Sequence, residues 1–387
     1  MGLEQYEARY SLQLSDWNER VFKRRGVDYD LVTGSELTTD KRIVTGSVLD
    51  AHGRTYYSMM QTANLIKLMK EGNVTSEDVI FYEDMYTPGI ESLPYIMDQV
   101  PHEYRPRVYV RCLAQSIDPD DFVNREGMGT WMKHYERMID SFVDGILVAS
   151  EEMVANLRIA GFSAPIYVTG LPFGKEEVKS RVPVVKPIGE RVKRVGFAAR
   201  WDDEKQPDFY MDLAEEYYAN RSTDVEFAIF CGHPELKSNN QKYVDRAMSL
   251  VNSNKANFNI YTGLKKNDYY NLLADSTVLF NCALQDWVSN TVSEADTFGT
   301  LTLYPAYRSF PEVFANNERN MYIPWSINHA ANRLETMMTR PDEYITGAVS
   351  NWQDGTIDRT VDVLEGKGEQ WARNGNDYRK YVAKAKY

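Results

Sequence analysis

Short apolar, β-branched runs alternate along this chain with longer stretches in which apolar residues recur every three to four positions. Runs of the first kind suit buried parallel strands and stretches of the second suit helices laid over them. The pattern therefore predicts an α/β protein with parallel sheets. In the first half it places strands at residues 30–33, 43–49, 79–82, 108–112, 145–149 and 166–169, and helices over 4–24, 55–70, 125–141 and 151–159. Ser150 before Glu151 and Glu152 reads as an N-cap followed by acids in the first turn, where a helix favours negative charge. The second half carries strands near 195–198, 226–230, 258–261, 278–280 and 300–304, with helices near 208–218, 240–251, 266–274 and 290–298. The tail over 361–386 reads as mostly helical, interrupted near Gly375, and ends basic.

A chain of 387 residues exceeds one ordinary core and suits two domains. The Pro- and charge-containing stretch 183–193 is the linker between the two series. The expected division is residues 1–182, residues 183–360, and a C-terminal helix over 361–387 returning to the first domain. With 43% hydrophobic and 26% charged residues, the composition is globular and excludes a disordered chain. Cys112, Cys231 and Cys282 form no pair or Cys/His cluster, so they read as free thiols in or beside strands rather than a disulfide framework or zinc site. The N-terminus shows no basic-then-apolar leader, and no run approaches the ~18 apolar residues of a membrane span. A cytoplasmic protein is expected. Formal charge is −12, with 19 basic and 28 acidic residues through residue 180, a poor footprint for nucleic acid or anionic lipid.

Three segments of the second half carry candidate chemistry. Gly196-Phe197-Ala198-Ala199-Arg200, with Lys205 following, is a strand running through a cationic loop into a helix. Fixed cations beside free backbone N–H groups suit an anionic diphosphate. The strand ending at Phe230 is followed by Cys231-Gly232-His233, where glycine lets backbone approach a ligand. From Asn281 to Thr300, a strand leads to a polar loop holding Asp286. Ser289 or Asn290 then caps a short helix, and Gly299 ends it. Donors at Ser289, Asn290 and Thr291 would face a phosphate, Glu294 would hold a ribose diol, and Asp286 would accept from sugar hydroxyls.

In this order the segments resemble the retaining glycosyltransferases of the GT-B fold, above all family 4. There a Gly-Arg…Lys loop, a strand ending in Gly and an acid–seven–Glu motif recur. Arg200 and Lys205 match the diphosphate-binding pair. Asp286 and Glu294 match the paired acids, with Asp where Glu is usual, and Phe310-Pro311-Glu312-Val313 matches the Pro-Glu segment that follows. In the first half, Gly2-Leu3-Glu4-Gln5-Tyr6, a long helix and residues 27–32 resemble the family's glycine loop, first helix and second strand. The pattern's first strand has no counterpart before them, and 43–49 is the candidate to fill its place. Residues 145–150 and 168–172 resemble the segments that end that domain.

The resemblance implies an α/β GT-B fold, two Rossmann-like domains with parallel sheets facing a central cleft. It implies no metal, no cofactor and no protein nucleophile; the co-substrate is a nucleotide sugar, expected to be a UDP-sugar. The acceptor hydroxyl attacks on the face the nucleoside diphosphate leaves, and a phosphate oxygen takes its proton. Arg200, Lys205 and Asp286 are then catalytic, and Gly232, Ser289, Asn290, Thr291 and Glu294 bind donor. Acceptors in open α/β sheets lie beyond the carboxyl ends of strands. The loops 50–54, 83–86 and 111–121 qualify, with His52, Asp84, Arg111 and Asp118 as candidates, although Asp118-Pro119-Asp120-Asp121 reads equally well as a helix-capping turn. Gly2-Leu3-Glu4, the helix to Trp17 and the helix before Gly299 are also similar in layout to phage enzymes that glucosylate hydroxymethylated bases in DNA. That implies modified DNA as an acceptor, with Arg105, Arg107, Arg111 and the basic tail as phosphate contacts and Tyr and Trp as a stacking surface. An envelope glycan or a small molecule is the alternative acceptor. A sugar-nucleotide epimerase, a non-catalytic binding module and a glycosidase using Asp286 and Glu294 are the competing functions.

Overall fold

The computed structural model describes residues 1–3, 10–36, 51–125, 127–253, 257–315, 317–344 and 355–370. The expected strand at 43–49, the start of the first helix and the basic tail lie outside them. The chain divides into two compact units, Met1–Pro172 with Gly355–Tyr387, and Phe173–Asp354.

The first unit holds a parallel sheet of β1 (Val79–Tyr82), β2 (Arg107–Arg111), β3 (Gly145–Val148) and β4 (Ile166–Val168), in that spatial order. Every residue of β3 is buried, as its continuous apolar run requires of a strand covered on both faces. Residues 30–33 are not a strand. The Gln61 and Asn64 side chains donate to the carbonyls of Val32 (2.7 Å) and Thr33 (2.9 Å), so this backbone is satisfied by the helix Ala51–Lys70 instead of a ladder. That helix also takes in residues 51–54, expected as loop; Gly53 in its first turn costs only about 1 kcal/mol of propensity. The close approach depends on Gly34, where a Cβ would stand 1.9 Å from the Tyr57 carbonyl oxygen. Gly34→Ala is expected to destabilise the first unit by about 1–3 kcal/mol, the usual penalty of overpacking, read as a lowered urea midpoint.

Ser150 caps the helix Glu151–Ile159 as its sequence predicts, accepting from the Met153 N–H. The last described helix is Thr356–Leu364, which covers the start of the tail helix expected over 361–386; from residue 371 that expectation lies outside the described residues. Gly366, at φ 76°, ends it in a Schellman arrangement, with the Gly366 N–H on Val363 O and the Lys367 N–H on Asp362 O. The helix is tied to the helix Tyr10–Arg25 by Arg25, which reaches Asp362 at 2.7 Å and Glu365 at 3.2 Å.

The second unit is a six-stranded parallel sheet of β5 (Val192–Phe197), β6 (Glu226–Phe230), β7 (Phe258–Tyr261), β8 (Ser276–Phe280), β9 (Leu301–Pro305) and β10 (Met321–Tyr322). Read from β7, the order is β7-β6-β5-β8-β9-β10. This is the doubly wound 3-2-1-4-5-6 arrangement, whose strand order reverses between β5 and β8. An aromatic core lies beneath it. Tyr210 packs against Phe197, Phe227, Phe258 and Phe280, and its hydroxyl donates to Val195 O at 2.7 Å and accepts from the Ala228 N–H. On the other face of β5, a Cβ at Gly196 would meet the Phe230 ring at 2.6 Å, a crowding that glycine avoids. Cys112 and Cys282 are buried free thiols and Cys231 is a half-buried one. No described helix is long and apolar enough to cross a membrane.

Candidate functional site

In an open α/β sheet the carboxyl ends of the strands on either side of the reversal point form a crevice that takes ligands. In the second unit those strands are β5 and β8. The loop after β5 carries Arg200 to Gln206, and the loop after β8 carries Asn281 to Ser289. Three contacts stitch the loops together: the Leu284 N–H donates to Glu204 O at 2.8 Å, the Cys282 thiol to Lys205 O at 3.3 Å, and the Gln206 side-chain amide to Cys282 O. Burial pushes the Cys282 thiol far above its usual range, which keeps it a donor. Gln206 sits at φ 51°, a left-handed turn that precedes the helix Pro207–Asn220.

Lys205 is thereby drawn inward. Its side chain is 10% exposed, its ammonium donates to Gln285 O at 2.6 Å, and it lies 3.9 Å from the Asp286 carboxylate. Arg200 stands at the rim, half-exposed, paired with Glu204 at 2.5 Å. The Asp286 and Trp287 carbonyls are held from behind by the Ser309 hydroxyl. Arg308, in the left-handed region at φ 55°, donates to Leu284 O at 3.2 Å.

Ser289 precedes the helix Asn290–Thr297 without capping it by its side chain. Its hydroxyl joins Thr291 at 2.6 Å, and Tyr304 closes the group at 3.2 Å from Thr291. The first N–H groups of this helix thus have no side-chain cap, which suits an anion. Glu294, on the same helix, is 3% exposed and accepts from Lys266 (2.9 Å), Tyr269 (2.8 Å) and Tyr270 (3.1 Å). Burial and the neighbouring Glu294 hold the Tyr269 hydroxyl well above the usual tyrosine range, so it stays a donor. Gly232 follows β6 in the open. A Cβ there would meet only Leu264 O at 3.5 Å, so neither strain nor packing demands glycine. Among the described residues no group of three or more His, Cys, Asp or Glu is placed to share a metal ion.

No family model matches this sequence, and no curated protein does. Solved structures do match in shape. A sucrose-phosphate synthase from Thermosynechococcus elongatus superposes over 92% of this chain and 86% of its own at a TM-score of 0.58 and 12% identity. For the trehalose-6-phosphate synthase OtsA the shares are 81% and 76%, with a TM-score of 0.57 and 12% identity. Anabaena HepE, solved with UDP and glucose, matches over 99% and 97% at a TM-score of 0.56 and 11% identity. The fold is GT-B. At such identities the likeness speaks for the fold alone, and GT-B architecture by itself assigns no chemistry.

On this GT-B frame the donor-side residues read from sequence (Arg200, Lys205, Gly232, Asp286, Ser289, Asn290, Thr291 and Glu294) all follow β5, β6 or β8 in the second unit. The acceptor-side set is more scattered. His52 is exposed in the first turn of a helix and not in a loop. Asp84 is buried, pairing with Arg54 and accepting from the Tyr86 N–H at 2.9 Å. Arg111 is 1% exposed and turned into the core. It pairs with Glu83 at 3.0 Å, donates to Thr169, Gly170 O and Thr360, and so ties β2 to the helix Thr356–Leu364. Asp118 accepts from the Asp120 N–H at 3.0 Å in a turn, and Asp121 accepts from the Val123 N–H at 3.1 Å at the start of the helix Phe122–Arg125. Sequence reasoning did not single out Glu136. It is buried and takes the Tyr86 hydroxyl, the Ser116 N–H (2.6 Å) and the Ser116 hydroxyl (2.5 Å). It joins the loops after β1 and β2, and its only sequence signal is an acid on the inner face of an amphipathic helix.

Proposed function

We propose that this chain moves a sugar from a nucleoside-diphosphate donor to an acceptor hydroxyl, with retention and without a metal. The observation that carries this is the pair of loops joined at the β5–β8 reversal, one with Arg200 and Lys205 and the other leading to an uncapped helix N-terminus and the buried Glu294. Two cations and a helix start match a diphosphate, whose charge grows as the glycosidic bond breaks. A carboxylate one turn further along matches a vicinal diol. Asp286, a quarter exposed and near Lys205, is the acid left to face the sugar. With Glu294 tied to three protein donors, the two acids differ in role, which favours donor binding over a glycosidase pair flanking one bond. A uridine donor is supported by the UDP named in the HepE complex.

For the acceptor we propose a saccharide hydroxyl in place of modified DNA. The arginines that favoured a duplex face protein partners: Arg111 pairs with Glu83, Arg105 donates to Val100 O at 2.7 Å, and Arg107 reaches Leu364 O at 3.5 Å. Labelled sugar offered with hydroxymethylated duplex DNA and, separately, with a lipid-linked or soluble saccharide checks this. Label in the saccharide alone is expected, and label in the DNA would overturn this part. The donor site is tested by Glu294→Gln. It should raise the KM for UDP-sugar about tenfold or more, as loss of a charged hydrogen-bond acceptor implies, with kcat nearly unchanged. An unchanged KM would remove the ribose assignment.

A further inference from the structure

A carboxylate offers about four lone-pair sites. On Glu294, Lys266 and Tyr270 occupy Oε1 and Tyr269 occupies Oε2, so three are taken. A vicinal diol brings two donors and needs two sites. One protein donor must give way. Tyr270 is 1% exposed, with its ring against Phe298 and Tyr269. Tyr269 is wedged between Tyr270 and Phe230. Lys266 differs from both. It opens the helix Lys266–Ala274 and its side chain is 41% exposed on a flexible stem. Its ammonium rests 5.2 Å and 5.0 Å from the Tyr269 and Tyr270 ring centroids.

We propose that Lys266 is a positioning residue that holds Glu294 as a displaceable partner, and that the donor's ribose 2′,3′-diol takes its place. This rests on reading Glu294 as the ribose contact. The Lys266–Glu294 pair then competes with ribose. It lowers the affinity of the site for ribonucleotides while leaving sugars without the diol unaffected. Removing the ammonium by Lys266→Met ends the competition, and the two tyrosine hydroxyls keep the carboxylate in place. Lys266→Arg keeps a cation over the rings and restores the competition.

Calorimetric titration of the full chain with UDP and with 2′,3′-dideoxyuridine diphosphate separates the outcomes. In Lys266→Met, UDP should bind roughly two- to fivefold tighter, the range of an ion pair with one half-exposed partner. The dideoxy analogue should bind as it does to the wild type, and Lys266→Arg should match the wild type with both. A purely structural role would move both nucleotides alike. Weaker UDP binding in Lys266→Met, or an unchanged ratio between the two nucleotides, would overturn the inference. A wild type that prefers UDP, with a ratio Lys266→Met leaves unaltered, removes this inference alone. A wild type that binds neither nucleotide removes the donor reading with it.

Discussion

Lys205→Ala is expected to lower turnover by about 10²- to 10³-fold, the loss that follows removal of one preorganised donor from a site of developing charge. The size follows from where the ammonium sits. It is nine-tenths buried, and Gln285 O fixes it from one side with Asp286 beyond. Water screens such a charge far less than one at the surface, and no reorganisation is needed as negative charge builds on the leaving diphosphate. Because that charge is greatest in the transition state, the fall should be in kcat more than in KM. Arg200, half-exposed and paired with Glu204, should cost less when removed. Steady-state rates with a turned-over UDP-sugar, alongside a thermal melt showing the variant folded, check both. Near-normal turnover in Lys205→Ala would remove its assignment.

The second large effect is on stability. Arg111→Ala should destabilise the first unit by about 3–5 kcal/mol, the cost of breaking a buried ion pair from one side. Its guanidinium reaches Glu83, Thr169, Gly170 O and Thr360 from a position 1% exposed. Glu83, itself 6% exposed, would keep only the Asn18 amide at 2.6 Å among these side-chain partners. Urea unfolding of a two-unit chain need not be two-state, so the transition of the first unit is the one to follow. Pairing Arg111→Met with Glu83→Gln should recover part of the loss, because neither member of the pair is then left charged without the other. A loss under about 1 kcal/mol in the single variant would contradict the role given to this pair.

The strands most legible in the sequence are the continuous apolar ones. β6 runs over the residues its composition marks, with all five buried, because both faces of a central parallel strand are covered. β10, at two residues, is too short to carry a period. Residues 30–33 look like a strand because β-branched character is common to strands and to any extended segment. Their partners, Gln61 and Asn64, are side chains about thirty residues away that no local pattern announces. The same limit governs the site. The spacing within 200–205 and 286–294 is local and readable. The ring of donors around Glu294 comes from residues 24 to 28 positions earlier on another helix, and Arg308 reaches Leu284 across 24. On the acceptor side, two of the chemistry-bearing residues have protein partners. Arg111 pairs with Glu83 and Asp84 with Arg54 inside the fold, a use of charge that a sequence does not distinguish from contact with a ligand.

We propose that the β5–β8 crevice activates a nucleotide sugar for transfer. Incubating the full chain with a panel of nucleotide sugars, with and without saccharide acceptors, and following both free nucleoside diphosphate and labelled saccharide tests it most directly. A uridine donor is expected to release UDP as its sugar enters the acceptor with the anomeric configuration kept, and EDTA to leave the rate intact. Epimerised donor without acceptor, or no UDP released from any donor, would contradict it.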